Sequence, residues 1–157
     1  NRLIKPGLAT VHLAHEVQDL FAYFEAWAEA CAVTLALTGS ATIPGDRLML
    51  RRALSNLISN AIRHTPQGQA VQVSLSRHGD TVTVSVENPG TEIPAEHLPR
   101  LFDRFYRVDP SRQRKGDGAG LGLAIVKSIV EAHGGSITVM SDDQKTRFQI
   151  ALPASAK

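Results

Sequence analysis

The sequence predicts an α+β fold: a two-layer sandwich in which helices cover a mixed, mostly antiparallel sheet. Three observations carry this. QAVQVSLSR and TVTVSVEN alternate strictly and are separated by HGD, the pattern of a hairpin. Apolar residues recur at helical spacing in three other stretches. The chain closes on two more strand-like runs, SITVMS and TRFQIALP. Elements in this order form one sheet layer under helices.

Residues 1–7, NRLIKPG, read as the tail of a linker, and 8–157 as one domain. LATVHL suits a short strand. From His15 to Ala30 the apolar positions Val17, Leu20, Phe21, Phe24, Trp27 and Ala28 fall on a helix. VTLALTG is a strand ending on glycine. Gly45-Asp46 opens a long helix that runs through His64 and stops at TPQG. In the hairpin, Val71, Val73 and Leu75 share a face, as do Val82, Val84 and Val86. Leu121 to His133 reads as a helix closed by Gly134-Gly135. Between Gly90 and Gly120 about 25 residues lack a pattern. Connections that long are functional or disordered, and a lid over a ligand is the functional form.

Composition excludes several classes. The chain has 157 residues, 43% hydrophobic and 20% charged, an ordinary globule with room for a core. A formal charge of +2 is too small to argue for nucleic acid. A local basic excess, RLFDRFYRVDPSRQRK, suits an anionic ligand instead. No apolar run reaches the ~18 residues of a membrane span, so the chain itself is not expected to insert. The one cysteine, Cys31, forms no internal disulfide and fits a reducing compartment. The chain starts at Asn1 without methionine and reads as a piece of a longer protein.

RKGDGAGLGLAIVKS places glycines at 116, 118, 120 and 122 ahead of a helix. A dinucleotide fingerprint fails, because leucine stands where its third glycine belongs. A P-loop fails as well, because Val126 holds the last glycine's place. What remains is a glycine run entering a helix N-terminus, where free N–H groups and the helix dipole favour an anion. The alternative is a plain hinge.

The long helix adds a polar stripe. Leu50, Leu54, Leu57, Ile58 and Ala61 form its core face, while Asn56, Asn60 and Arg63 fall at i, i+4 and i+7, with His64 beside them. Asparagine is a poor helix former, and a merely solvated face more often carries Glu, Lys and Gln. An amide oxygen is a hard, neutral ligand acceptable to Mg²⁺, and an arginine one turn on can neutralise a phosphoryl oxygen. The stripe suits a nucleotide.

NLISNAIRHTP, VENPG, RLFDRFYR and GDGAGLGLAIVKSIVEAHGG, in that order, resemble the N box, first glycine box, F box and second glycine box of sensor histidine kinases, members of the GHKL superfamily with its Bergerat-type ATP site. LPRLFDRFYRVDPSRQR resembles the heavy-metal-responsive subgroup. The resemblance implies ATP and Mg²⁺ as cofactors and a lid over residues 90–122. It implies Asn60 as the Mg²⁺ ligand, Asn56 as its polar partner, and Arg63 and Arg107 as phosphate-facing cations, with Asn56, Arg63 and Arg107 carrying catalysis. His64 takes the place of a ring packed on adenine. Asn88, Gly90, Ile93, Leu121, Leu123 and Thr146 belong to the nucleotide pocket, and Gly118, Gly120 and Gly122 to the loop over the triphosphate. Phe102 and Phe105 anchor the lid in the core.

Hydrolytic GHKL relatives carry a glutamate at the place of Asn56. An amide takes no proton at neutral pH, so the site resembles one that positions ATP for another nucleophile. The implied acceptor is a histidine on an upstream dimerisation and phosphotransfer domain, then an aspartate on a response-regulator receiver domain. The implied setting is the cytoplasmic part of a bacterial inner-membrane sensor. AHEVQDL imitates the start of an acceptor box, but Arg-Thr-Pro does not follow and His15 stands too close to the N box; it is expected to be an exposed residue at a helix start. His12, His78, His97 and His133 show no metal spacing. Two departures stand out: Asn88 replaces an aspartate that would accept the adenine amine, and Glu92 replaces a glycine. Glu92 is expected to face solvent. Two other readings stay open: a non-catalytic ATP-binding or docking module, and a protein-serine kinase of the anti-sigma type.

Overall fold

A computed structural model of the chain describes residues 9–104 and 122–155. The elements run β1 (Ala9–His12), α1 (Leu13–Ala30), β2 (Thr34–Thr38), β3 (Thr42–Gly45), α2 (Arg47–His64), β4 (Ala70–His78), β5 (Thr81–Pro89), a 3₁₀ helix (Ala95–Arg100), α3 (Gly122–Ala132), β6 (Ser136–Asp142) and β7 (Lys145–Pro153). The main sheet has five strands in the order β2-β4-β5-β7-β6, and β1 pairs with β3 apart from it. Only the β2–β4 pairing is parallel in the main sheet. A parallel pair needs a crossover, and α2 supplies it.

Local chemistry sets the ends of α2. The Asp46 carboxylate accepts from the N–H groups of Leu48 and Met49, 3.1 Å each, so two free donors of the first turn are capped. At the other end Pro66 pushes Thr65 into extended backbone, and the Thr65 hydroxyl donates back to the Ala61 carbonyl at 2.6 Å. The β4–β5 hairpin turns through Gly79 and Asp80 between the paired His78 and Thr81. Gly79 takes φ +61° there, which a tight hairpin turn demands.

The core lies between one face of the sheet and the helices. Val71, Val73, Leu75, Val82, Val84, Val86, Phe148, Ile150 and Leu152 are buried from the strands, and Leu50, Leu54, Leu57, Ile58 and Ala61 from α2. Of the α1 positions expected inside, Val17, Leu20, Phe24 and Ala28 are buried, while Phe21 and Trp27 pack at its margin. The alternating residues on the other sheet face are half-exposed, as in an antiparallel sheet with one solvated side.

The structure departs from the sequence expectation in three places. β3 was not anticipated; Pro44 inside a four-residue run conceals it. The stretch after Gly90 is not patternless: the 3₁₀ helix follows Pro94, contains Pro99 and lies against β6. Leu101 is buried, and Ile93, Leu98 and Phe102 pack on the core. A three-residue turn interrupted by prolines leaves no 3.6-residue signal. Lastly, α1 begins at Leu13, two residues before His15.

His15 is exposed, as expected. Glu16 beside it is 4% exposed and ties α1 to α2: Arg47 Nε lies 2.7 Å and Arg51 Nε 3.4 Å from its two oxygens, and Arg51 also reaches Asp19 at 3.1 Å. The Glu16 hydrogen bond raises the Arg47 pKa above the ordinary guanidinium value. Glu16 is thus a helix clamp.

Leu57 is fully buried at the α2–sheet contact. Leu57→Ala is expected to cost about 3 kcal/mol. Urea unfolding should show a lower midpoint with an unchanged slope.

Candidate nucleotide site

The flank of α2 next to its buried face carries Asn56, Asn60 and Arg63, all half-buried, and His64 exposed at the last turn. Asn56 Nδ2 donates to the carbonyl of Gly122 at 3.2 Å. That bond brings the amide flank against the first residue of α3. A side chain at Gly122 would meet nothing within 4 Å, so the start of α3 borders open space. Leu123 packs at the margin of the core.

The other end of the flank meets the exit of β5. The His64 carbonyl would stand 2.9 Å from a Cβ at Gly90, which has φ +153°. Only glycine brings the strand exit that close in that conformation. Asn88 and Thr146 face each other across β5 and β7 and are 4% and 7% exposed. Asn88 Nδ2 donates to the Pro89 carbonyl at 2.8 Å, leaving Oδ1 as its acceptor.

Segment 90–93 is pinned to the β6–β7 hairpin at two points. Gly90 N–H donates to the Gln144 carbonyl at 2.9 Å, and Ile93 N–H donates to Ser141 Oγ at 2.7 Å. Ser141 Oγ in turn lies 3.0 Å from Thr146 Oγ1. Thr91 and Glu92 between the pins are exposed. Glu92 is absent from the positive-φ residues, so the backbone there needs no glycine. A neighbouring cleft of about 450 Å³, lined by Pro66, Gln69, Pro89, Gly90, Thr91, Glu92 and Gln144, shares only Gly90 with the predicted residues.

The predicted residues therefore gather at two ends of one helix flank. Asn56 joins Gly122 at one end; His64, Gly90, Asn88, Thr146 and Ile93 join at the other. Asn60 and Arg63 stand between them on the same stripe. From Asn56 to His64 the helix rises about 12 Å. Arg107, Gly118, Gly120 and Leu121, like Phe105, lie outside the described residues. Phe102 meets Phe148 edge-on, with ring centroids 6.0 Å apart, and packs on the core. Ser141 and Gln144 were missed. Ser141 had left a signal: it follows Ile137 and Val139 on the inward face of β6, a hydroxyl where alternation calls for an apolar residue.

Among the described residues no three His, Cys, Asp or Glu side chains gather as a metal cage. The half-buried amide of Asn60 suits a cation that keeps waters and takes its remaining ligands from phosphate, as Mg²⁺ does. The donor set fits a nucleotide: carboxamides and a guanidinium along the flank, and a buried amide-hydroxyl pair at its end.

Comparison with known proteins agrees with this geometry. Residues 45–156 match the family described as histidine kinase-, DNA gyrase B-, and HSP90-like ATPase. The chain belongs to that family. It is 59% identical over 155 residues to the sensor histidine kinase CusS of Escherichia coli K12, covering 98% of this chain and 32% of that protein. Full-length ShkA, solved in complex with AMPPNP, superposes with a TM-score of 0.83 at 29% identity, over 98% of this chain and 32% of that one. The histidine kinase ThkA, solved with the response regulator TrrA, shares the fold with a TM-score of 0.80 at 23% identity, over 95% of this chain and 42% of that one. The chain spans about a third of the length of the curated relatives it matches. Within the family it is the ATP-binding catalytic domain of a sensor histidine kinase.

Gly90→Ala is expected to destabilise the chain by about 1–3 kcal/mol, from the backbone strain alone. Gly122→Ala, with open space around it, should melt no lower than the parent chain. Thermal melting of the two variants side by side checks the contrast.

Proposed function

We propose that this domain transfers the γ-phosphoryl group of ATP to a histidine on an upstream helical domain, with Asn60 as the protein ligand of Mg²⁺. The observation that carries the reading is the Asn56–Gly122 bond, which closes the amide flank of α2 on the start of α3 while the buried Asn88–Thr146 pair stands at the other end. Bound Mg²⁺ would supply charge neutralisation on the phosphate oxygens.

Each residue has a role in this reading. Asn56 holds the start of α3 and, being an amide, does not activate water. Arg63 offsets phosphate charge from the same flank, and Arg107 adds a second cation. Asn88 accepts the adenine amine through Oδ1, because one of its amide hydrogens is already donated to Pro89. Thr146 and Ile93 complete the base end, and the imidazole of His64 offers a ring face to adenine. Gly118, Gly120, Leu121, Gly122 and Leu123 border the triphosphate. The attacking nucleophile is an imidazole nitrogen of the upstream domain, and ADP leaves.

The regulator-side partner in this reading is a receiver domain whose aspartate takes the phosphoryl group onward; ThkA, which shares the fold, was solved in complex with the response regulator protein TrrA. The signal is a heavy metal, as the similarity to CusS and other heavy-metal sensor kinases suggests. The domain sits on the cytoplasmic side of a bacterial inner-membrane sensor. Among the described residues no helix is long and apolar enough to cross a membrane.

Calorimetric titration with Mg-ATP should saturate. Asn60→Ala should weaken binding by at least about tenfold, the scale of one lost ligand bond. Phosphate transferred to a purified histidine-bearing helical domain should be acid-labile; acid-stable phosphate would overturn the acceptor assignment.

Asn88→Asp should tighten ATP binding by less than about tenfold, the usual margin of a charge-assisted bond over a neutral one. The same variant should melt lower without ligand, because its carboxylate would face the Pro89 carbonyl. Calorimetry and melting on one preparation measure both.

A further inference from the structure

Ser141 is the one polar side chain on the inward face of β6. Its oxygen accepts the Ile93 N–H at 2.7 Å and lies 3.0 Å from the Thr146 hydroxyl. A serine hydroxyl has one proton to give. Among the described residues Thr146 Oγ1 is the only further hydrogen-bond neighbour of Ser141 Oγ. Either hydroxyl can donate to the other, and each direction leaves one proton, that of Ser141 or that of the more buried Thr146, without a protein acceptor. An oxygen already receiving an N–H is also polarised into a better donor. A bound base that offers an acceptor to Thr146 would select one of the two directions: Ile93 N–H to Ser141, Ser141 O–H to Thr146, and the Thr146 proton to the base.

We infer that Ser141 is a positioning residue that sets nucleobase specificity, by orienting the Thr146 hydroxyl as a donor opposite the Asn88 acceptor. The inference rests on the nucleotide reading above and deepens it. Asn88 and Thr146 are directly paired across β5 and β7. Asn88 has Nδ2 turned to Pro89, so it presents an oxygen; Thr146, held by Ser141, presents a proton. An acceptor beside a donor complements the adenine edge, whose exocyclic amine donates and whose adjacent ring nitrogen accepts. Guanine reverses both polarities at those positions. The same serine ties down Ile93, so the base end of the pocket and the root of the segment after β5 are ordered by one hydroxyl.

The test is the ratio of ATP to GTP affinity, measured by calorimetry with Mg²⁺ on the 157-residue chain. Ser141→Ala frees the Thr146 hydroxyl to rotate and should narrow that ratio by about tenfold, the scale of one base-edge hydrogen bond. Ser141→Thr keeps the hydroxyl and should preserve the ratio. Thr146→Val should narrow it to a similar extent, and the double variant should lose no more than either single one, since both remove the same donor. Thr146→Val and Ser141→Thr test the assignment even if Ser141→Ala does not fold. An unchanged ratio in Ser141→Ala or Thr146→Val, or independent additive losses in the double variant, would overturn the role of Ser141 and leave the ATP site standing. An unaltered chain that binds neither nucleotide would overturn both readings.

Discussion

Leu57 and Ile58 are fully buried where α2 crosses the sheet, and that packing fixes the rotation of the helix about its axis. Successive residues differ by about 100°, so once these two face inward, the stripe of Asn56, Asn60 and Arg63 must lie on the adjoining flank. The Asp46 cap and the Thr65-Pro66 stop set the axial position in the same way. Moving either end by one residue would turn the amides into the core or out to solvent. The placement of the amide stripe on α2 is thus a consequence of core packing.

The strands complete what the helix begins. β5 and β7 end together, and their inward alternation brings Asn88 and Thr146 to the floor where valines and Phe148 would otherwise continue. Two hydrogen bonds from segment 90–93 to the β6–β7 hairpin then fix where the chain leaves that floor. Gly90 is required because the exit passes against the His64 carbonyl. Two residues later no such approach occurs, and Glu92 takes an ordinary backbone with its side chain in solvent. Glu92, where the resembled pattern has a glycine, therefore stands in a backbone that does not call for one.

Much of this was legible in the sequence because it rests on periodicity. Val71 to Val86 alternate on one face, and the α2 leucines repeat at helical spacing, so the sandwich and the amide stripe could be read without coordinates. What stayed hidden depends on contacts between distant positions. Nothing local announces that Ser141 meets Ile93, or that Gln144 receives the Gly90 N–H. β3 was hidden by its proline and the 3₁₀ helix by its short period. Glu16 was misleading for another reason: next to His15 it copies a motif, while its burial against Arg47 and Arg51 shows it fastening two helices.

The buried position of Asn88 bears on why an amide can stand where an aspartate is the family habit. At 4% exposure a carboxylate loses most of its hydration, and that loss must be offset by partners that donate. The nearest partner the structure gives, the Pro89 carbonyl at 2.8 Å, accepts. An amide satisfies that carbonyl and still keeps an oxygen for a ligand. A carboxylate would have to turn from Pro89 and seek its donors in the bound base. The charged side chain concentrates its benefit in the ligand-bound state, whereas the amide divides it between the free and bound protein. In the proposed base pocket, Asn88 would thus exchange some ligand affinity for a side chain that is satisfied before the nucleotide arrives.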